Sequence, residues 1–370
     1  MNILWDKNLG QENAIEHLSK IINSNRIPHA FLFVGREGIG KHYAAVKFAQ
    51  FINSSDELDE NNPIVKRIES LSEPYVKFVF PLPRGKGESA DDSPTEKLSQ
   101  DQIEEVTNAI QNKVGNPYYK IEIEKASGIK INSIRDVRRF ININYDEIKY
   151  RLILIEDAHL MNEEAQNALL KSLEEPPEGV IFILTTSDEN RLLPTIKSRC
   201  WAINFIPLSN ENLVYILTKY YNVEKDFAQK LTFFSDGSVL EALRLINSNF
   251  EETIEKVIDV LRYSLAKKYH SAYSVLNELF KDKKPDFIKQ VITMLSRWFS
   301  DAQKERAGLD DFYFDQDKET FMKFNQKFKN TDINNLLVKL DELSNSVGRN
   351  VGLNMITTSI IFEISAIVMR

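Results

Sequence analysis

Largely apolar runs of four to six residues recur through the first 205 positions: Ala30–Val34, Tyr75–Phe80, Leu152–Ile155, Val180–Leu184 and, more weakly, Ala202–Phe205. Most are rich in Val, Ile and Phe and do not alternate polar with apolar. Strands covered on both faces of a parallel sheet read this way. Helical patterns lie between them. After Lys41, the residues Ala45, Phe48, Ala49 and Ile52 fall at i, i+3, i+4, i+7 and make one apolar face. Asn162 suits an N-cap, Glu163 and Glu164 suit the positive first turn, and Pro176-Pro177 stops that helix. Strands alternating with helices predict an α/β domain.

Two segments interrupt the alternation. Asn53–Asn62 is polar and acidic. Pro81–Glu96 holds three Pro and two Gly among mixed charges, so an insertion at about 81–111 is expected to be mobile. Strand signals stop after Pro207, and short helices follow around Ser235-Asp236-Gly237-Ser238. From about Phe250 helical periodicity dominates, as in Ile254, Val257, Ile258 and Leu261. The expected division is therefore 1–207, 208–248 and 249–370.

The chain has 370 residues, 42% hydrophobic and 27% charged, which fits a globular protein and excludes a wholly disordered or collagenous one. A net charge of −7 argues against a general nucleic-acid coat, so any DNA contact needs a local patch or a partner. One cysteine excludes a disulfide framework and a multi-cysteine zinc site. The start, Met1 to Asp6, lacks the pattern of a signal peptide, and no run of about 18 apolar residues is present. A soluble cytoplasmic chain without membrane contact is expected. The histidines, His17, His29, His42, His159 and His270, show no metal-ligand spacing, and no metal site is predicted.

Directly after the first strand comes Gly35-Arg36-Glu37-Gly38-Ile39-Gly40-Lys41-His42. It fits G-x-x-x-x-G-K-[ST] at every defined position but the last, and it stands between a strand and a helix. Glycines let successive N–H groups turn toward phosphate, the helix N-terminus adds positive potential, and Lys41 reaches the outer phosphates. The bland alternative is a glycine-rich turn that happens to precede a lysine. At the last position a hydroxyl would ligate Mg²⁺, and His42 supplies no oxygen to that hard cation. The strand Leu152–Ile155 ends in Glu156-Asp157, where a Walker B acid pair would stand, but in reversed order. Read blandly, these are strand-end acids facing solvent.

From Leu9-Gly10-Gln11 through Cys200 the order of motifs resembles the clamp-loader branch of the AAA+ ATPases. Three segments carry the likeness: Ile27-Pro28-His29-Ala30-Phe31-Leu32-Phe33, Met161 to Pro177, and Leu193-Pro194-Thr195-Ile196-Lys197-Ser198-Arg199-Cys200. The resemblance extends more weakly through Gly237 to Leu243, like a lid, and to a helical tail like the clamp-loader collar, where Arg349-Asn350-Val351 and Leu353 precede the last helix. It implies an AAA+ P-loop parallel-sheet domain, then a small helical lid and an all-helical, oligomer-forming collar.

The resemblance also implies roles. The branch holds the γ/τ and δ′ subunits of bacterial DNA polymerase III and the small subunits of replication factor C. An active motor of the γ/τ type would carry Ser or Thr at position 42 and an arginine where Leu240 stands. Both are missing and the acid pair is inverted, so the chain is expected to resemble the δ′ type, a catalytically silent component of the DNA-directed DNA polymerase III assembly. Its degenerate nucleotide site would comprise Gly35, Gly38, Gly40, Lys41, His42, Glu156, Asp157 and Thr185 or Thr186, the last as sensor 1. No cofactor is certain there; ATP with magnesium would be held weakly if at all. No cysteines follow the glycine-loop helix where relatives carry a zinc ligand set. Arg199 would enter a neighbour's site as an arginine finger, the alternative being a structural arginine between strands. Expected partners are the γ/τ and δ clamp-loader subunits and, through the complex, the sliding clamp and primed DNA. Arg135, Arg138 and Arg139 form a basic helix face, read as a DNA-backbone contact or as a solvated face, and Lys323, Lys327 and Lys329 are read as solvated. Cys200 is read as a small core residue.

Overall fold

A computed structural model of the chain describes residues 6, 9–24, 26–54, 61–143, 145–314, 318–349 and 351–367. The start Met1–Trp5, most of the acidic stretch after Asn53, and Asn350 lie outside the described residues.

Five strands, β1 (Ala30–Val34), β2 (Val76–Val79), β3 (Arg151–Ile155), β4 (Val180–Thr186) and β5 (Trp201–Asn204), form one sheet in the order β2-β3-β4-β1-β5. Every pairing is parallel. The connecting helices are α1 (Glu12–Asn23), α2 (Lys41–Ile52), α3 (Pro63–Glu69), α4 (Gln100–Gly115), α5 (Ile131–Ile141), α6 (Glu163–Glu174) and α7 (Pro194–Lys197). The predicted α/β domain is thus present, with each expected strand within one or two residues. Parallel strands need crossovers, and the helices cover both sheet faces. On one face Ala30 and Leu32 of β1 join Ile153, Ile155, Phe182 and Leu184 against Val137 and Phe140 of α5 and Leu169 of α6. The alternate β1 residues point the other way, where Phe31 meets Phe48 of α2 edge-on at 5.1 Å. Asn162 caps α6 by accepting from the Ala165 N–H at 2.9 Å, and the helix stops just before Pro176.

The insertion differs from the mobile loop expected. Its polar stretch is gathered around Lys130, whose Nζ donates to Pro83 O at 2.9 Å, Pro94 O at 3.0 Å and Glu88 Oε2 at 2.8 Å. Asn132 donates to the other Glu88 oxygen at 2.8 Å. A buried carboxylate with these partners fixes a loop that composition alone describes as loose. Beyond it, Ser99 and Gln102 form a capping box that opens α4. Phe80, Leu98, Val106, Ala109 and Ile123 give the insertion a small core of its own.

The remaining helices are α8 (Asn210–Tyr221), α9 (Lys225–Thr232), α10 (Val239–Asn247), α11 (Phe250–Leu265), α12 (Tyr269–Phe280), α13 (Pro285–Arg306), α14 (Lys318–Lys327), α15 (Ile333–Ser346) and α16 (Leu353–Ala366). Contacts divide the chain into two compact units. One runs to Gln229 and takes in Asp236–Leu240; the other comprises Lys230–Ser235 and the chain from Glu241 on. Residues 208–248 are therefore shared between the units, whereas the sequence suggests breaks near 207 and 249. A segment of that size is too small to enclose its own core. In the second unit Trp298 of α13 meets Phe299, Phe321 and Phe324 edge-on at 5.1, 5.2 and 5.4 Å.

Candidate functional site

The glycine loop joins β1 to α2 at the carboxyl ends of the strands, the edge where open parallel sheets place ligands. Gly38 (φ +69°) and Gly40 (φ +97°) occupy the left-handed region. A Cβ at Gly38 would lie 2.6 Å from the Leu240 backbone nitrogen, because the segment Asp236–Leu240 is laid on the loop. Ser238 Oγ donates to Glu37 O at 2.8 Å, the Val239 N–H donates to Gly38 O at 3.0 Å, and Arg36 pairs with Asp236 at 3.2 Å.

Lys41 opens α2 and is buried. Its ammonium turns back onto the loop, donating to Gly35 O at 2.6 Å and to Arg36 O. Burial pulls its pKa down to about 8, against the pull of Asp157, Glu37 and Glu156. His42 is buried too, packed edge-on against Phe78 at 5.4 Å. Its Nδ1 lies 3.2 Å from Glu156 Oε2, off the hydrogen-bonding line, and neither atom has a hydrogen-bond partner. Burial, then the nearby Lys113, pushes the imidazole pKa down, so His42 is neutral at pH 7.

Glu156 and Asp157 follow β3, the latter at φ +53°. The Asp157 N–H donates to Thr185 Oγ1 at 3.1 Å, which joins the end of β3 to β4. Two lysines, one at the end of α4 and one in the segment after it, meet these acids. Lys113, in the last turn of α4, donates to Glu156 Oε1 at 2.8 Å, and to Tyr119 O at 2.8 Å. Lys120 Nζ bonds Asp157 Oδ2 and stands 3.4 Å from Glu37. Burial opposes the charge of Glu156, but Lys113 holds its carboxyl well below the usual range. Burial opposes the charge of Lys120 as well, and Asp157 and Glu37 nevertheless hold it above the ordinary lysine value. Tyr118, between the two lysines, covers Gly40: a Cβ there would stand 3.1 Å from the phenol oxygen. About 40 Å³ of free space remains among these groups.

Gly38, Gly40, Lys41, His42, Glu156 and Asp157 thus gather at one cleft, and Gly35 enters through its carbonyl. Thr185 lines the cleft. Thr186 does not; its hydroxyl meets His159 Nδ1 at 3.2 Å and accepts from the Asp188 N–H at 3.1 Å. Thr185 is thus the one of the two threonines that faces the cleft. Glu37, Asp157 and His159 bring ligand atoms within 4.8 Å of one another, a proximity that sequence spacing does not reveal. Arg199 lies outside the cleft wall, between α7 and β5, where it pairs with Glu174 at 2.6 Å and donates to Thr195 O at 2.9 Å. Cys200 is a half-buried thiol packed against the sheet core, with its pKa raised to about 12 by burial. On the α5 face Arg135 is engaged by Asp91 at 2.6 Å, and Arg139 by Asp136 at 3.5 Å.

Lys113, Tyr118 and Lys120 have no place in the glycine-loop and acid-pair motifs. One signal for Lys113 exists in the sequence: with Val106 and Ala109 it continues the buried stripe of α4, and a lysine in such a stripe requires a buried partner. Lys120 follows Pro117 in an irregular segment and carries no comparable signal.

A glycine loop between β1 and α2, an acid pair after β3 and the strand order β2-β3-β4-β1-β5 define a P-loop scaffold of the AAA+ class. Residues 10–209 match the family described as DNA polymerase III, delta subunit. That span is more than half of the chain, which belongs to this clamp-loader family. Its relatives include DNA polymerase III subunit tau of Bacillus subtilis, 28% identical over 298 residues, or 75% of this chain and 46% of that protein. Subunit tau/gamma of Haemophilus influenzae is 31% identical over 244 residues, 64% of this chain and 29% of that protein. Subunit gamma of a Buchnera aphidicola is 27% identical over 263 residues, 68% of this chain and 62% of that protein. The chain thus spans less than two thirds of the length of each. Among solved structures, a gamma subunit-related protein of Thermotoga maritima aligns with a TM-score of 0.43 at 14% identity, covering 94% of this chain and 98% of that one.

Proposed function

We propose that this chain is a δ′-type subunit of a DNA polymerase III clamp loader, one that keeps the motor scaffold without turning over ATP. The observation that carries the reading is the engagement of both acids after β3 by lysines of the same chain. The donor set does not fit a magnesium-bound triphosphate: His42 offers no oxygen, both carboxylates are ion-paired, and Lys41 faces the loop's own carbonyls. Ligand pockets of drug-sized molecules run to roughly 300–1,000 Å³, far above the free space here.

In this reading residues 208–248 act as the lid and the helices from 249 on as the collar, together with the γ/τ and δ subunits. The sliding clamp and primed DNA are reached through the complex. Met355 and Phe362 of α16, 66% and 59% exposed, support a collar surface that a neighbouring subunit covers. Arg199 serves the neighbouring site in trans. It is partly exposed, and its ion pair with Glu174 is the kind that costs little to break.

The alternative is an active γ/τ-type motor, favoured by the names of the curated relatives. Steady-state phosphate release by the isolated chain with magnesium separates the two. The proposal expects background release, equal in wild type and Lys41→Ala; turnover that disappears in the variant establishes the motor.

A further inference from the structure

We infer that the segment from α4 through Lys120 is a tethered replacement for the metal ion: Lys113 and Lys120 occupy the cation positions of the cleft and close it to magnesium-bound nucleotide. The inference rests on the silent reading above and names the device that enforces it.

Three carboxylates, Glu37, Glu156 and Asp157, converge on the cleft, together with three ammonium groups, those of Lys41, Lys113 and Lys120. Formal charge is balanced without an added ion. The positions of the lysines are specific. Lys113 is 4% exposed and spans from α4 to Glu156. Lys120 lies against Asp157 and Glu37, two of the three residues whose ligand atoms cluster within 4.8 Å, so an ammonium stands where a cation could otherwise be held. A divalent cation arriving there must displace a charge that is covalently attached and already partly dehydrated. Such a group acts at high effective concentration, and free magnesium also loses hydration water on binding. The carboxylates, in turn, anchor the insertion: α4 is the helix that carries Val106 and Ala109 into the insertion's own small core. The acid pair has exchanged a ligand role for a structural one.

The test uses the full chain, with Mg²⁺ alone and then Mg²⁺ with a fluorescent ATP analogue, followed by thermal unfolding and equilibrium titration. Wild type is expected to show no magnesium-dependent rise in Tm. Lys113→Met/Lys120→Met, which keeps the reach of each side chain through Cε and removes the ammonium, is expected to gain such a rise and to bind the analogue at least about tenfold more tightly with magnesium than without. Should the double variant not fold, Lys120→Met alone, which frees Asp157 and Glu37, carries the same expectation. A wild type that Mg²⁺ already stabilises overturns the inference, and so do variants that respond to magnesium as wild type does. Phosphate release by wild type is a different result, because it overturns the silent reading itself.

Discussion

Lys113 Nζ lies 2.8 Å from Glu156 Oε1, with the lysine side chain 4% and the carboxylate 13% exposed, and His42 sits on the other oxygen at 3.2 Å. The ion pair joins the last turn of α4 to the end of the inner strand β3. A charge in such a position is stable only while its partner is present.

Removing one partner should therefore be costly. Lys113→Ala leaves Glu156 buried with a neutral imidazole beside it, and a loss of about 3 kcal/mol is expected in urea unfolding. Lys113→Met/Glu156→Gln, which removes both charges, should lose clearly less. Equal losses would show that the pair is not coupled.

The glycine loop has its own point of failure. Gly38→Ala demands a left-handed alanine and brings its Cβ to 2.6 Å from the Leu240 nitrogen. A destabilisation of about 1–3 kcal/mol is expected, whereas Gly87→Ala, also at positive φ but with nothing within 4 Å, should cost less. Unfolding midpoints of the two variants check the ranking.

Stability should rise with pH in two separate windows, one acidic and one alkaline. Glu156 has a folded pKa below its ordinary 4.5, so its stabilisation is complete above that value and is lost as the pH falls toward the depressed one. Lys41 has a folded pKa of about 8 against an ordinary 10.5. Between those values the unfolded chain binds more protons, so Lys41 makes stability rise with pH. Urea midpoints from pH 7 to 10.5 should rise less in Lys41→Met than in wild type. An identical alkaline slope would remove Lys41 as the cause.

Arg199 is expected to matter to a neighbour more than to its own fold. Its pair with Glu174 is partly exposed, so Arg199→Ala should change stability by less than about 1 kcal/mol. In a reconstituted clamp loader the same variant should slow DNA-stimulated ATP turnover by on the order of 10³, the lower end for arginine fingers. Unchanged turnover would assign Arg199 a purely structural place between α7 and β5.

How much of this was legible beforehand follows from how local each feature is. The strands show in uninterrupted Val, Ile and Phe runs because both faces of a parallel strand are covered, and the loop shows in its glycines because Gly38 and Gly40 adopt backbone angles other residues avoid. The cap at Asn162 and the stop before Pro176 are likewise written within a few residues of where they act. The anchoring of loop 81–96 is not legible in its composition, which is that of a mobile segment, because the groups that hold it, Lys130 and Asn132, lie at the start of α5, beyond α4.

Sequence alone determined the α/β class, the glycine loop between a strand and a helix, a histidine rather than a hydroxyl residue at position 42, and the order Glu156-Asp157 after β3. Tertiary structure alone decided what those acids now hold. Lys113 and Glu156 are 43 positions apart, Lys120 and Asp157 are 37 apart, and the choice of Thr185 over Thr186 turns on which face of β4 looks into the cleft. Propensity and motif spacing act over a few residues, whereas burial and ion pairing act between whatever the folded chain brings together, and the chemistry of this cleft is of the second kind.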